Sequence, residues 1–254
     1  VYVEKINATE EGEVKISTDN EIIEKVKNAN QAKLLWKELG VKRRINLIKP
    51  IYEEFLNRKE ELIDLIIKEI GKTRKYANLE ITRYSGDFKW FLDNGEKALK
   101  EEVTYEDDKT IHTVYHEPFG VSAVITPWNN PFGMFIWGVI PNLIAGNTIV
   151  FKHSEECPLS GKLIEEIMLS KSLPKGVFSE VYGAGDIGSK LLHQDIDLSW
   201  FTGSSKIGKE IYKIGAGKFI KVILEMGGSN PGIMFKDADI GKFIDKLYMK
   251  RFVA

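Results

Sequence analysis

From Val121 onward the chain alternates short apolar runs with helix-spaced segments, and this alternation limits the fold more than any other feature. Val121–Ile125, Thr148–Phe151, Val177–Tyr182, Leu198–Phe201, Ile220–Leu224 and Ile233–Phe235 read as buried strands. Helical segments are expected between them, near 133–145, 159–170, 186–193, 204–214 and 239–253. Strands separated by helices need crossover connections, so the expected class is α/β with a doubly wound, mostly parallel sheet. Ligands of such sheets bind outside the carboxyl ends of the strands. The loops after Ile125, Phe151, Tyr182, Phe201 and Leu224 are therefore where function is expected.

Ahead of this array, residues 20–77 are rich in Lys, Glu, Leu and Ile at helical spacing. Leu34, Leu35 and Leu39, then Ile45, Leu47, Ile48, Ile51 and Phe55, mark one apolar face, with a break near Gly40. A second helical stretch runs from about Asn78 to Leu99 and turns Phe88, Phe91 and Leu92 inward. Two β-branched runs, Val103–Tyr105 and Thr110–Tyr115, flank the polar turn Glu106–Lys109, which is a hairpin signal. The hairpin reads either as an interaction arm or as an edge ribbon of the main sheet.

Composition narrows the function classes. Hydrophobic residues make up 43% of the 254, enough for a substantial core. Lys plus Arg number 36 against 37 Asp plus Glu, a balance that gives no electrostatic footprint for nucleic acid. The most apolar run, Phe132–Gly146, is interrupted by Gly138, Pro141 and Asn142 and is too short to span a bilayer. Val1–Lys5 lacks the pattern of a signal peptide, and one cysteine cannot form an internal disulfide. The expectation is a cytoplasmic protein that engages neither membrane nor nucleic acid.

Several short motifs sit at the expected loops, each with a bland alternative. Gly183-Ala184-Gly185-Asp186-Ile187-Gly188 is a literal G-x-G-x-x-G between a strand and a helix. No acidic residue follows it in Leu198–Thr202, so a plain strand-to-helix turn stays open. Phe201-Thr202-Gly203-Ser204-Ser205-Lys206-Ile207-Gly208 opens another helix, where free N–H groups and the helix dipole favour phosphate. There Ser204 either caps the helix or donates to a phosphate oxygen. Lys152 and Glu155, three apart at a strand end, suit ribose hydroxyls or form a solvated pair. Glu225 ends an apolar run directly before Met226-Gly227-Gly228. Buried there, its carboxylate would have a raised pKa and serve as a base. Asn129, held between Pro127-Trp128 and Asn130-Pro131, suits hydrogen bonding to an oxyanion, or is a turn asparagine. Cys157 follows Glu155 and Glu156, which raise rather than lower a thiol pKa, and reads as structural or incidental. His112, His116, His153 and His193 show no metal-ligand spacing.

In their order, these segments resemble the NAD(P)-dependent aldehyde dehydrogenase superfamily. The likeness covers nearly the whole chain, from the helical Glu21–Arg44 region through His116–Val121, Thr126–Pro131, Gly146–Thr148, Lys152–Glu155, Leu173–Val177 and Phe201–Gly208 to Glu225–Gly228. It implies a Rossmann-like cofactor domain over 1–100 and 118–226 and an oligomerisation hairpin over 101–117. Residues 227–254 would open a catalytic domain, and the nucleophilic cysteine would lie a few residues beyond Ala254, after the run-up Arg251–Ala254.

The resemblance also implies roles. Asn129 would be the side-chain half of an oxyanion hole and Glu225 the general base. Lys152 and Glu155, with Ser154, would hold the adenosine ribose, and Gly185 would lie beside the adenine. Gly203, Ser204 and Ile207 would receive the pyrophosphate. Thr126, Pro127, Trp128, Phe201, Thr202, Met226 and Gly227 would line the cofactor channel. The implied chemistry is attack of a cysteine thiolate on an aldehyde, hydride transfer to NAD, and hydrolysis of the thioester by water activated at Glu225. NAD is expected over NADP, because Glu155 would repel a 2′-phosphate. His153 departs from the family's usual proline, a change expected to loosen its loop. A homo-oligomer is implied, with a second chain as one source of the missing catalytic half. The alternative is a non-catalytic nucleotide-binding or assembly subunit derived from the same family.

Overall fold

The computed structural model describes residues 2–3, 13–229 and 231–252. A short pair, β1 (Tyr2–Val3) and β2 (Val14–Lys15), precedes four helices, α1 (Asp19–Glu38), α2 (Gly40–Asn57), α3 (Lys59–Ile70) and α4 (Arg74–Ala98). The hairpin β3 (Glu102–Glu106) and β4 (Ile111–Val114) leads into the α/β array. That array runs β5 (Val121–Ile125), α5 (Pro131–Ala145), β6 (Thr148–Lys152), α6 (Pro158–Leu169), β7 (Phe178–Glu180), α7 (Gly185–Leu192), β8 (Leu198–Gly203), α8 (Ser205–Lys218), β9 (Lys221–Met226) and α9 (Ile240–Phe252). Among the described residues the main sheet has five strands, all parallel, in the order β7-β6-β5-β8-β9. The doubly wound class read from the sequence is the fold observed.

Period-two alternation along the strands divides the core between two faces. Val124, Ile149, Phe151, Phe178 and Trp200 face α5 and α6, with α2, α3 and α4 packed behind them. Val121, Ala123, Ile125, Val150, Val181 and Phe201 face α1, α7 and α8. Arg44 joins the helical layer to the sheet layer. Buried, it donates through Nε to the Ile144 carbonyl at 3.0 Å and through Nη1 to those of Trp36 and Lys37 at 3.2 and 2.8 Å. One guanidinium thus satisfies carbonyls at the ends of α1 and α5, which helices cannot satisfy internally.

Three expectations are corrected. Leu34 and Leu35 are 62% and 55% exposed. The buried stripe of α1 is Ile22, Val26, Ala29, Ala32 and Trp36, and at 3.6 residues per turn the two leucines fall on the opposite face. Ile233–Phe235 forms no strand, and Ile233 and Phe235 are exposed. Among the described residues no strand pairs with β9 on its outer side, so this segment has no ladder to join. Among the described residues the hairpin pairs only with itself, in a separate two-stranded sheet, and not with the edge of the main sheet. Both its faces are largely exposed, including Val103, Tyr105, Ile111 and Val114.

Candidate functional site at the carboxyl end of the sheet

β5 lies at the centre of the sheet. The chain winds outward from it through β6 to β7, then returns to build β8 and β9 on the other side. The crevice between the loops after β5 and β8 is thus the topological switch point. Register brings the sequence candidates to one rim. Ile125 pairs with Lys152 on one side and with Phe201 on the other, and Phe201 pairs with Leu224. One residue further, Thr202 stands opposite Glu225, and Gly203 opposite Met226.

The loop after β5 is anchored at both ends. Thr126 N–H donates to the Lys152 carbonyl at 3.2 Å. Trp128 and Asn129 are exposed, and Asn130 makes no side-chain cap for α5. Glu80 of α4 performs that task. Its Oε1 accepts from the N–H groups of Phe132 and Gly133 at 3.0 and 3.2 Å, and its Oε2 from Lys72 Nζ at 2.6 Å. Lys72 donates in turn to Asn130 Oδ1 at 2.8 Å. Burial pushes the Glu80 carboxyl above its usual range, against the pull of Lys72 and the two N–H groups.

At the end of β6, Lys152 and His153 are buried, Glu155 is half-buried and Glu156 is exposed. Lys152 Nζ donates to the His153 carbonyl at 2.9 Å and to Glu155 Oε2 at 3.4 Å. Burial lowers the Lys152 pKa, and Glu155 draws it back upward. His153 is locked rather than loose, because its Nδ1 lies 2.7 Å from Glu180 Oε1. The following helix, α6, is capped from α3. Glu69 accepts from Leu159 N–H at 2.7 Å, and from the Ser160 N–H and hydroxyl at 2.8 and 2.6 Å.

The glycine-rich turns divide their tasks. Gly183 has φ +140°, and a Cβ there would lie 2.3 Å from Ile187, so it serves the tight turn. A Cβ at Gly188 would meet Lys152 and Ile125 only at ordinary van der Waals distance, and Gly185 faces open space. At α8, Ser204 caps the helix by accepting from Ile207 N–H at 3.3 Å. Glu225 is exposed rather than buried, because among the described residues β9 pairs only with β8 and forms the sheet's edge.

Sequence reasoning missed Glu69, Lys72, Glu80 and Glu180. A signal for two of them was present. Glu69 follows Leu62 and Ile66 on the buried face of α3, and Glu80 lies between Ala77 and Tyr84 on that of α4. A carboxylate inside an apolar stripe demands a partner. Among the described residues no cluster of His, Cys, Asp and Glu could hold a metal ion, and no helix is long and apolar enough to cross a membrane.

The sequence model of the Aldehyde dehydrogenase family matches residues 2–254. Lactaldehyde dehydrogenase of Methanocaldococcus jannaschii is 34% identical over 239 residues, covering 91% of this chain and 50% of that protein. Succinate-semialdehyde dehydrogenase [NADP(+)] of Escherichia coli is 33% identical, covering 88% and 47%. The crystal structure of a NAD-dependent benzaldehyde dehydrogenase from Corynebacterium glutamicum superposes with a TM-score of 0.85 at 29% identity, over 94% of this chain and 53% of that one. The chain spans about half the length of the curated relatives it matches.

Proposed function

The chain belongs to the aldehyde dehydrogenase family, and on that premise we propose that the complete protein oxidises an aldehyde to a carboxylic acid with NAD. The register at the carboxyl end of the sheet carries this reading, since it brings the Thr126–Asn130 loop, Lys152, Gly203 and Glu225 to one rim. The donor set there suits a dinucleotide. Among the described residues the Thr126 and Thr202 hydroxyls are buried without a partner, and the α8 N-terminus presents N–H groups beyond the one that Ser204 satisfies.

In this reading Lys152 and Glu155, with Ser154, hold the adenosine ribose, and Gly185 lies at the adenine end. Gly203, Ser204 and Ile207 receive the pyrophosphate. Thr126, Pro127, Trp128, Phe201, Thr202, Met226 and Gly227 line the channel. Bound NAD supplies the hydride acceptor. Asn129 donates its side-chain N–H to the oxyanion that forms on the aldehyde carbon's oxygen. Glu225, open to solvent on the sheet edge, takes a proton from the hydrolytic water. Cys157 is fully buried at the head of α6. The attacking thiolate is therefore assigned to the part of the family's length that this chain does not span. Residues 1–100 and 118–226 form the cofactor domain, 227–254 the opening of a catalytic domain, and 101–117 the arm through which copies assemble.

Calorimetric titration with NAD and NADP, run beside an assay of NADH formation on a panel of aldehydes, tests this. The chain should bind NAD more tightly than NADP and produce no NADH by itself. Failure to bind either dinucleotide would overturn the cofactor-domain reading. NADH formation by this chain alone would overturn the assignment of the thiolate.

A further inference from the structure

His153 stands between Lys152 and Glu155 in sequence, yet its side chain is fully buried. Its Nδ1 lies 2.7 Å from Oε1 of Glu180, itself fully buried on β7. The ring stands edge-on to Phe151, with centroids 4.3 Å apart and 74° between the planes. Helix α6 comes down flat over the pair. A Cβ at Gly161 would sit 2.7 Å from Glu180 Oε1 and 2.8 Å from His153 Nδ1. The slot is thus shaped to these two side chains.

The pair is not fully satisfied. Among the described residues, His153 Nε2 and Glu180 Oε2 have no hydrogen-bond partner. A buried polar pair with unmet atoms costs stability relative to apolar packing, so its presence calls for a reason outside stability. Charged and polar groups of three neighbouring elements lie near it. Lys152 flanks it on β6, and Glu165 of α6 adds a like charge beside Glu180. Lys25 of α1 donates to the Glu180 main-chain carbonyl and lies 3.8 Å from Glu165. Tyr182 donates its hydroxyl to Glu165 at 2.9 Å.

The reason lies in what the His153 peptide holds. Its carbonyl accepts from Lys152 Nζ at 2.9 Å, and the same ammonium reaches Glu155 Oε2. Fixing the ring fixes the peptide, and the peptide fixes the ammonium. We propose that Glu180, acting through His153, is the positioning residue that holds the Lys152–Glu155 arm in the geometry needed by the ribose hydroxyls of a dinucleotide. This rests on the cofactor reading above. Glu180 touches no ligand, and its effect is confined to the adenosine ribose.

Calorimetric titrations of the whole chain with NAD and with its analogue lacking both adenosine ribose hydroxyls test the proposal. If wild type does not bind NAD, the cofactor reading fails and the inference falls with it. If wild type binds, Glu180→Leu should weaken NAD about fivefold, roughly one hydrogen bond of lost preorganisation. The same variant should leave the affinity for the deoxy analogue within about twofold. Glu180→Gln, which keeps an acceptor for His153 Nδ1, should restore NAD affinity. Should Glu180→Leu not fold, the paired replacement of His153 and Glu180 by leucine removes both polar partners together and should show the same selective loss. Unchanged NAD affinity in the folded leucine variants, or equal losses for both ligands, would overturn the proposal.

Discussion

Glu69 is the side chain on which the start of α6 depends, and its removal should cost more than any ordinary surface carboxylate. Helix α6 opens on Pro158, and Cys157 at its N-cap position makes no side-chain cap. The first free donors, Leu159 N–H and Ser160 N–H, both go to Glu69, which is only 7% exposed. The Ser160 hydroxyl goes there as well. Each buried donor left unsatisfied costs about 1–3 kcal/mol, and loss of a helix cap about 1 kcal/mol. One carboxylate serves all three donors and the hydroxyl can turn elsewhere, so the terms do not sum. Glu69→Ala should cost about 3–4 kcal/mol. Glu69→Gln keeps one accepting oxygen but sets an amide N–H against a donor, and should cost about 2 kcal/mol. Ser160→Ala alone should cost about 1 kcal/mol, and the Glu69→Ala, Ser160→Ala double variant about 1 kcal/mol less than the sum of the singles. Urea unfolding followed by far-ultraviolet circular dichroism reads all four. For a chain this long, Glu69→Ala should also melt roughly 10 °C lower. A loss below about 1 kcal/mol, or strict additivity in the double variant, would refute the capping argument.

Other outcomes follow from the same structure. Burial raises the Glu80 pKa above its ordinary 4.5, so the folded chain keeps a proton that the unfolded chain releases. The stability from this group is full below that ordinary value and is lost as pH rises through the raised one. Urea midpoints at pH 4.5 and 8 should therefore move in favour of Glu80→Gln at the higher pH; a gap moving the other way would reverse the sign. Arg44→Lys should cost about 2–3 kcal/mol in thermal unfolding, because one ammonium cannot reach the carbonyls of Trp36, Lys37 and Ile144 together; full retention of stability would contradict this. Glu155→Gln should narrow the preference for NAD over NADP about fivefold by calorimetry, the effect of removing roughly 1 kcal/mol of repulsion at a solvated site. An unchanged ratio would place the 2′-hydroxyl elsewhere.

The α/β array was legible because its signals are local. Period-two runs such as Val121–Ile125 and the polar turn of the 102–114 hairpin declare themselves within a few residues. What was hidden depends on distant partners. Glu69 meets Ser160 across 91 residues, Glu80 meets Phe132 across 52, and His153 meets Glu180 across 27. Only the buried phase of the helices hinted at the first two. Leu34 and Leu35 misled because apolar character was taken as burial, whereas helix phase decides it. Glu225 was expected to be buried because its strand is apolar. An edge strand shields its residues from one side only, and the carboxylate is exposed.

A dinucleotide is proposed to bind at the carboxyl end of β5, β6, β8 and β9. Hydrogen–deuterium exchange of the whole chain, with and without saturating NAD, tests it most directly. Protection should concentrate in residues 126–130, 152–155 and 203–208, the loops that the strand register brings to one rim. Protection confined to another surface, such as the cleft between α1 and α7 lined by Asp19, Ile22, Ser189, Lys190 and Gln194, would contradict the account.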